Sequence, residues 1–402
     1  DTEIAVTVDT SDVDGPDGIV NNEERRDGIV LHGTADAGSN VEVTFNGHTH
    51  TVTASETGTW SSAYAVEELP IGDSESNYDV NVKATDQAGN SATATGIVKL
   101  DTWVNTLNQT GKVEGDDIVN KAEAADGILL TGKVEAGSTV YVDFKGPNGT
   151  FTEKATVTGT TWSVSYNAAE VPAGSYDAEI KITATDLAGN VRSISDTFVV
   201  DTDVPDEPDI FGIFTQGTAK DGITQVAIHD TSDAITIHSY DTNGDGKALL
   251  ATDDDRSYLS NNNTRMYFDF GSDSPVADGK QLIVTATDDH GNTNSTLLVL
   301  DEKSTNALDV TAPGLDGFNI GSIDMTYADK TTLSLNKANI DALSANDNVL
   351  VIHGAIDDHV TFDGSATKLA NSETINGQAY DVYDLGGDTV LKIDHDIDFK
   401  TI

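Results

Sequence analysis

The chain contains no cysteine, which excludes disulfide staples and thiol chemistry. That absence does not fix an address, since bacterial surface proteins also do without cysteine. No apolar run approaches the ~20 residues of a membrane-spanning helix. The opening DTEIAVTVDT lacks the pattern of a secretory signal, so the sequence reads as an internal or processed piece of something longer. Positive charge is scarce: 22 Lys and Arg stand against 68 Asp and Glu, a formal net charge of −46. Phosphate backbones need a basic patch, so nucleic acid is excluded as a partner. No nucleophile elbow or comparable signature is present. Paired acids are too common to nominate a glycosidase pair, and the expectation is a protein that is not an enzyme.

What is abundant is acid. Disorder would account for it, but 37% of the residues are hydrophobic and they fall in strand-like patterns. Two explanations remain: hydration in high salt, or carboxylates placed to hold cations. Their positions favour cations.

The acids follow an internal repeat. GIVNNEERRDGIVLHGTADAGSNVEV (18 to 43) aligns with DIVNKAEAADGILLTGKVEAGSTVYV (117 to 142) at an offset of 99. GTWSSAYAVEELP matches TTWSVSYNAAEVP, and ATDQAGN (84 to 90) returns as ATDLAGN (184 to 190) and ATDDHGN (286 to 292). Each of these turns is followed by a short apolar strand and an aspartate: Asp101, Asp201 and Asp301. The expected domains are therefore 1–101, 102–201, a divergent 202–302, and 303–402, which shares no obvious motif with the others. GIVLHGTA, NVEVTFNGHTHTVTA and ATGIVKLD alternate or are rich in β-branched residues. Turn clusters every roughly 8–12 residues suit sandwiches of about seven strands. The fold class is all-β: tandem sandwiches end to end like a rod, with a β-rich fourth domain. NKANIDALSAND (336 to 347) supplies that domain with one short helix.

Three classes of acidic loop are candidate calcium sites, because calcium takes six to eight hard oxygen ligands. The sharpest is DTNGDGKALLATDD. Asp241, Asn243 and Asp245 occupy loop positions one, three and five, with Gly246 at the sharp turn and the Lys247 carbonyl at seven. Thr252 stands where the closing carboxylate belongs, so Asp253, Asp254 or Asp255 has to replace it. A solvated Asx-rich turn is the plainer alternative. In the second class, Asp12, Asp14, Asp17, Asn21 and Glu24 converge in one loop. The other repeat keeps Asp116, Asn120 and Glu123, with Glu114 nearby, and Asp27 and Asp126 also match. A plain polar loop is the alternative. In the third class, Asp86, Asp186 and Asp288 of the ATDxxGN turns fit both an Asx-turn and ligation. The closing Asp101, Asp201 and Asp301 lie one strand away and meet the next unit. Acids gathered at a junction repel one another unless a cation bridges them.

The GDDIVN..E loop, the TW strand, the ATDxAGN turn and the terminal LDT or VDT resemble the Ig-like extender repeats of giant bacterial RTX-type and biofilm adhesins. The resemblance covers the first two units and the tail of the third. LSLNKANIDALSANDNVLVIHGAIDDHVTFDG and QAYDVYDLGGDTVLKIDHDID are similar to a module near the C-termini of such adhesins. The resemblance implies Ig-like sandwiches loaded with Ca2+, exported to the bacterial cell surface as a monomeric extender for attachment or biofilm formation. Its partners are then the neighbouring domains of the same long chain. The rival reading makes domains three and four a ligand-binding tip that grips a glycan, a protein or a surface.

Other constellations have plainer readings. His48 and His50 share one face of a strand but lack an evident third zinc ligand. Asp394, Asp396 and Asp398 are expected on one face of a single strand, as a solvated edge or a weak cation site, and Asp357, Asp358 and Asp363 pose the same choice. Trp60 and Trp162 sit at matched positions and read as core, whereas Trp103 follows a junction aspartate and suits packing between units. Phe211, Phe214, Tyr258, Tyr267 and Phe268 enrich the third unit in aromatics, most of them for its core, with an exposed subset as the alternative that stacks on a sugar or grips a peptide.

Overall fold

The computed structural model describes residues 3–402 except 12, 14, 16, 71–74, 216–221, 241–247, 250–253, 260–262, 271–274, 277–279, 301–305, 312–313, 316 and 345–347. Strands dominate, and the chain forms two compact units. One comprises Asp1–Asp117, Asp126–Pro172 and Tyr176–Val199; the other comprises Ile118–Ala125, Ala173–Ser175 and Val200–Ile402.

The first unit holds two related β-sandwiches. In the first, a five-stranded sheet runs in the order Ile19–Val20, Ser91–Asp101, Glu75–Thr85, Asn40–Phe45, His48–Thr53. It faces the pair Ile29–Thr34 and Thr59–Tyr64. Alternation makes the strands: Val41, Val43 and Phe45 are buried while Asn40 and Glu42 point outward, as a half-buried pleated surface requires. The second sandwich repeats the plan, with Ile128–Val134 between Leu107–Gln109 and Thr161–Tyr166. Thr139–Gly146 pairs with Gly149–Lys154 on its other face.

Matched aromatics lock each sandwich. The Tyr64 and Tyr166 hydroxyls donate to the carbonyls of Val43 and Val142, both at 2.7 Å. The Trp60 and Trp162 indoles donate to the carbonyls of Thr7 and Asn108, both at 3.2 Å. Beside each tryptophan lies a glycine, Gly33 or Gly132, where any Cβ would overlap both that carbonyl and the indole ring. The expected core role of the two tryptophans holds.

In the second unit a four-stranded sheet runs Ile210–Thr215, Ile223–His229, Asn263–Asp269, Asp254–Leu259. Opposite lies a ten-stranded sheet that changes character along its width. Ala234–Tyr240, Gln281–Thr287 and Thr293–Leu298 are antiparallel. Thr293–Leu298 then pairs in parallel with Ile320–Asp324, followed in parallel by Val349–His353 and Val390–Asp394. A second parallel sheet stacks Asn306–Leu308, Thr331–Asn336, His359–Asp363 and Asp398–Thr401. After residue 320 the chain thus coils alternately between two sheets, filling the space between with Ile323, Ile352, Ile393, Leu333, Val360 and Phe362.

The expected short helix is present at Lys337–Leu343, capped by Asn336. Two further helices, Asn22–Asp27 and Lys121–Asp126, were not anticipated. Asp394, Asp396 and Asp398 do not share one strand face. The strand Val390–Asp394 ends before a corner, and Asp398 opens a strand of the other sheet. Among the described residues no helix is long and apolar enough to cross a membrane.

Candidate functional site: acidic seams between repeats

The seam in the first unit is built from the ATDLAGN turn of one repeat and the closing aspartate of the preceding one. Asp186 orders the turn as an Asx motif, accepting the Asn190 backbone N–H and side-chain Nδ2 at 2.8 Å each. So fixed, Asn190 reaches across. Its Nδ2 donates to the Asp101 carbonyl at 2.8 Å, and its Oδ1 accepts the Asn22 N–H at 2.9 Å. Asn21 returns the contact, donating from Nδ2 to the Ala188 carbonyl at 3.0 Å.

The matched Asn and Glu of the second loop class have a local job. Asn21 accepts the N–H groups of Glu23 and Glu24, and Glu24 Oε2 accepts the Asn21 N–H, a reciprocal capping box that starts helix Asn22–Asp27. Asn120 and Glu123 do the same for Lys121–Asp126. These bonds occupy one oxygen of each Glu. Glu24 Oε1 lies beside Gly15, as does Asp17 Oδ1, which also accepts the Ile19 N–H at 3.2 Å. In the matching loop, Lys112 Nζ lies 3.0 Å from Asp117 Oδ2 and donates to the Asp116 carbonyl.

At the Asp101 seam, carboxylates crowd. Glu75, Asp101 and Glu135 each bring a carboxylate oxygen within 4.8 Å of the others. Among the described residues this is the one place where three metal-ligating side chains converge so closely. Asn105 bridges the two glutamates, its N–H to Glu135 Oε2 at 2.8 Å and its Nδ2 to Glu75 Oε2 at 2.5 Å. Burial pushes the Asp101 carboxyl up to about 6, and the charges of Asp186, Glu135 and Glu75 add to the rise against one backbone hydrogen bond from Trp103. A carboxylate held so far from its ordinary value is short of positive charge. The donors are all oxygen, the set calcium prefers over zinc or copper.

The same hydrogen-bond frame recurs in the second unit with a different filling. Asn292 Nδ2 donates to the Asp201 carbonyl at 3.0 Å, its Oδ1 accepts the Lys121 N–H at 2.8 Å, and Asp288 orders its turn. Among the described residues no second and third carboxylate complete a three-ligand group here. His290 Nδ1 sits 2.6 Å from Asp201 Oδ2 instead.

Asp86 in the first ATDxxGN turn accepts the N–H groups of Ala88 and Asn90 and the Asn90 amide, which satisfies the turn role. Asp12, Asp14, Asp241, Asn243, Asp245, Lys247, Asp253 and Asp301 lie outside the described residues. Sequence reasoning missed Glu75, Glu135 and the bridging Asn190 and Asn292. The Asn at the end of every ATDxxGN copy was the available signal, read only as a turn residue. Trp103 packs under the Arg192 guanidinium, 4.9 Å from the ring centre. His48 and His50 share Glu68, at 3.8 and 2.7 Å, with His50 stacked on Tyr64.

The family described as bacterial Ig-like domain matches residues 30–101 and 146–202. An Ig-like domain of the M. primoryensis ice-binding adhesin is 30% identical over 24% of this chain and 93% of its own, with a TM-score of 0.19.

Residues 30–101 and 146–202, in the first two repeats, belong to the bacterial Ig-like domain family.

No curated protein matches it. Among solved structures, a segment of a 1.5-MDa bacterial ice-binding adhesin is similar at 23% identity, covering 74% of this chain and 96% of its own at a TM-score of 0.42. A Ca2+-stabilized adhesin of an Antarctic bacterium is similar at 19% identity, covering 97% of this chain and 90% of its own at a TM-score of 0.36.

Proposed function

We propose that this chain is an extender and presenting segment of a bacterial cell-surface adhesin, in which calcium bound at the seams fixes each Ig-like domain against the next. In this reading the domains are 1–101, 102–201, 202–302 and 303–402, they lie outside the cell, and they serve attachment or biofilm formation. The observation that carries it is the meeting of Glu75 and Asp101 from one repeat with Glu135 from the next. Three carboxylates with oxygens within 4.8 Å of one another cost free energy unless a cation joins them, and a cation that does so cross-links two repeats. Glu75, Asp101 and Glu135 supply carboxylate oxygens for a calcium ion there, and Asn105 orients the two glutamates. Asp17 and Glu24 offer a second, smaller set. The loop from Asp241 to Asp253 is a third.

The similarity to a Ca2+-stabilized adhesin supports the reading. So does the net charge of −46, which favours binding of divalent cations and opposes close packing without them. Counting bound calcium by native mass spectrometry tests it. Wild-type chain is expected to carry at least one ion more than the Glu135→Gln variant, and calcium is expected to raise the melting temperature of wild type further. Equal ion counts and equal melting shifts in the two proteins overturn the seam as a calcium site.

A further inference from the structure

We propose that a cavity in the second unit, floored by Asp324, His353 and Asp394, binds a protonated amino sugar of a polysaccharide. The site is independent of the seams and does not rest on calcium there.

The floor comes from the coiled part of the unit. Asp324 and His353 are register partners at the ends of adjacent parallel strands, and Ile352 pairs with Ile393, so His353 and Asp394 follow side by side. Parallel neighbours lie ~4.8 Å apart, which makes a short column of Asp, His and Asp where three coils turn the same corner. Asp209, in the segment leading into strand Ile210–Thr215, forms one wall. Gln378, Tyr380 and Asp396 form another, and Tyr327 and Ile356 line the cavity as its apolar parts. The cavity measures about 600 Å³, within the range of small-molecule sites.

Its chemistry selects for positive charge. Four carboxylates line it, two of them on buried residues, Asp324 and Asp394. No lysine or arginine is among the lining residues. Buried carboxylates are normally paired. Here their polar contacts are modest: Asp324 accepts the Thr326 N–H at 2.9 Å, and Asp394 accepts the Gln378 amide at 2.8 Å and the Asp396 N–H at 3.0 Å.

A bare metal ion fits poorly. Among the described residues no three acids or imidazoles of this cavity bring ligand atoms within 4.8 Å of one another. A lysine side chain also fits poorly, being slim and polar only at its tip, whereas this cavity has polar groups on several sides. His353 Nδ1 and the Tyr380 hydroxyl are joined at 2.6 Å, and Gln378 also reaches Asp396 Oδ2 at 3.2 Å. A pyranose ring carries hydroxyls around its edge and C–H groups on its faces. The hydroxyls match the Asp, Gln and Tyr groups, which both accept and donate. The C–H face matches Tyr327 and Ile356, the latter 83% exposed. An amino group on the ring supplies the missing charge.

The test is titration of the full chain, with calcium in excess, by glucosamine, glucose, N-acetylglucosamine and lysine amide, read by calorimetry or ligand-observed NMR. Glucosamine is expected to saturate with a Kd near about 1 mM, and the other three at least about tenfold more weakly. Asp394→Asn and the rim variant Asp396→Asn are each expected to weaken glucosamine about tenfold. Asp396 lies in an exposed turn, so its variant keeps the test meaningful should Asp394→Asn fail to fold. No saturation by glucosamine at about 50 mM, equal binding of glucose, binding of lysine amide as tight as glucosamine, or no effect of Asp396→Asn in the folded protein each overturn the proposal. None of these outcomes bears on calcium at the seams, which is read by ion count and melting.

Discussion

Asn190 grips Asp101 by its backbone, donating from Nδ2 to the carbonyl at 2.8 Å, and in the same pose accepts the Asn22 N–H at 2.9 Å. One amide thus ties a turn of the second repeat to two segments of the first. Truncating it strands a buried carbonyl and an N–H together, and each unsatisfied group costs ~1–3 kcal/mol. Asn190→Ala is expected to lower unfolding free energy by ~2–4 kcal/mol and to speed hydrogen exchange at Asn22 and along the end of strand Ser91–Asp101. Unchanged exchange at Asn22 in the variant would show that the bridge does not hold the seam.

Chelation is expected to act unevenly. The Asp101 seam gathers Glu75 and Glu135 with no basic side chain among the three, whereas Asp201 has His290 at 2.6 Å. Removing calcium is therefore expected to raise amide exchange near Asp101 and Glu135 more than near Asp201 and His290. Hydrogen exchange with and without excess chelator, read at both places, checks this. An equal response at the two seams, or none, contradicts it.

Acidity is expected to stabilise the chelated protein over part of the pH range. Burial raises the Asp358 carboxyl above its ordinary 3.8 despite backbone hydrogen bonds from Ala355 and Thr331, and burial raises Asp324 likewise. Such groups hold a proton more tightly folded than unfolded. The stability they contribute is complete below about pH 3.8 and is lost as pH rises through their folded values. Exposed acids such as Asp86 and Asp398, whose values are lowered by hydrogen bonds to Asn90 and Lys400, act in the opposite sense, but only below their ordinary range. Urea melts in chelator are thus expected to show stability falling as pH rises above about 3.8, with a flatter slope in Asp358→Asn. Identical slopes for variant and wild type would remove Asp358 from the account.

Gly132→Ala is expected to be among the costliest single changes in the second sandwich. The added methyl overlaps the Asn108 carbonyl and the Trp162 indole, so strand Leu107–Gln109 or the tryptophan has to move, at ~2–4 kcal/mol. Trp162→Phe loses only the indole hydrogen bond and part of its packing, and is expected to cost less. A melt in which the glycine variant matches wild type would show that the strand shifts freely.

Much of this architecture was legible because it repeats. Two copies of the TW strand predicted two buried tryptophans, and alternation at Asn40–Phe45 predicted which face is core. Asp101 and Asp201 were rightly read as meeting the next repeat, since one strand separates each from its own turn. Three things were hidden. The capping boxes at Asn21 and Asn120 looked like metal ligands, because Asn and Glu three apart serve both purposes. Glu75 and Glu135 come from different repeats and from loops that do not align, so no spacing rule joins them. The coiled part was missed because its period is set by SID, VIH and KID at the strand ends, three-residue echoes separated by insertions of unequal length. Once stacked, those echoes place Asp324, His353 and Asp394 in one column.

The ten-stranded sheet also bears on how this chain can be cut. Strand Thr293–Leu298 is bonded on one side to antiparallel Gln281–Thr287 and on the other to parallel Ile320–Asp324. Cleaving near residue 303 and separating the pieces would strip a row of amides and carbonyls on both, leaving each fragment with a raw, apolar border primed to recruit other chains. Fragments intended for separate expression are better divided after Thr202, beyond the end of strand Val191–Asp201, than through the shared sheet.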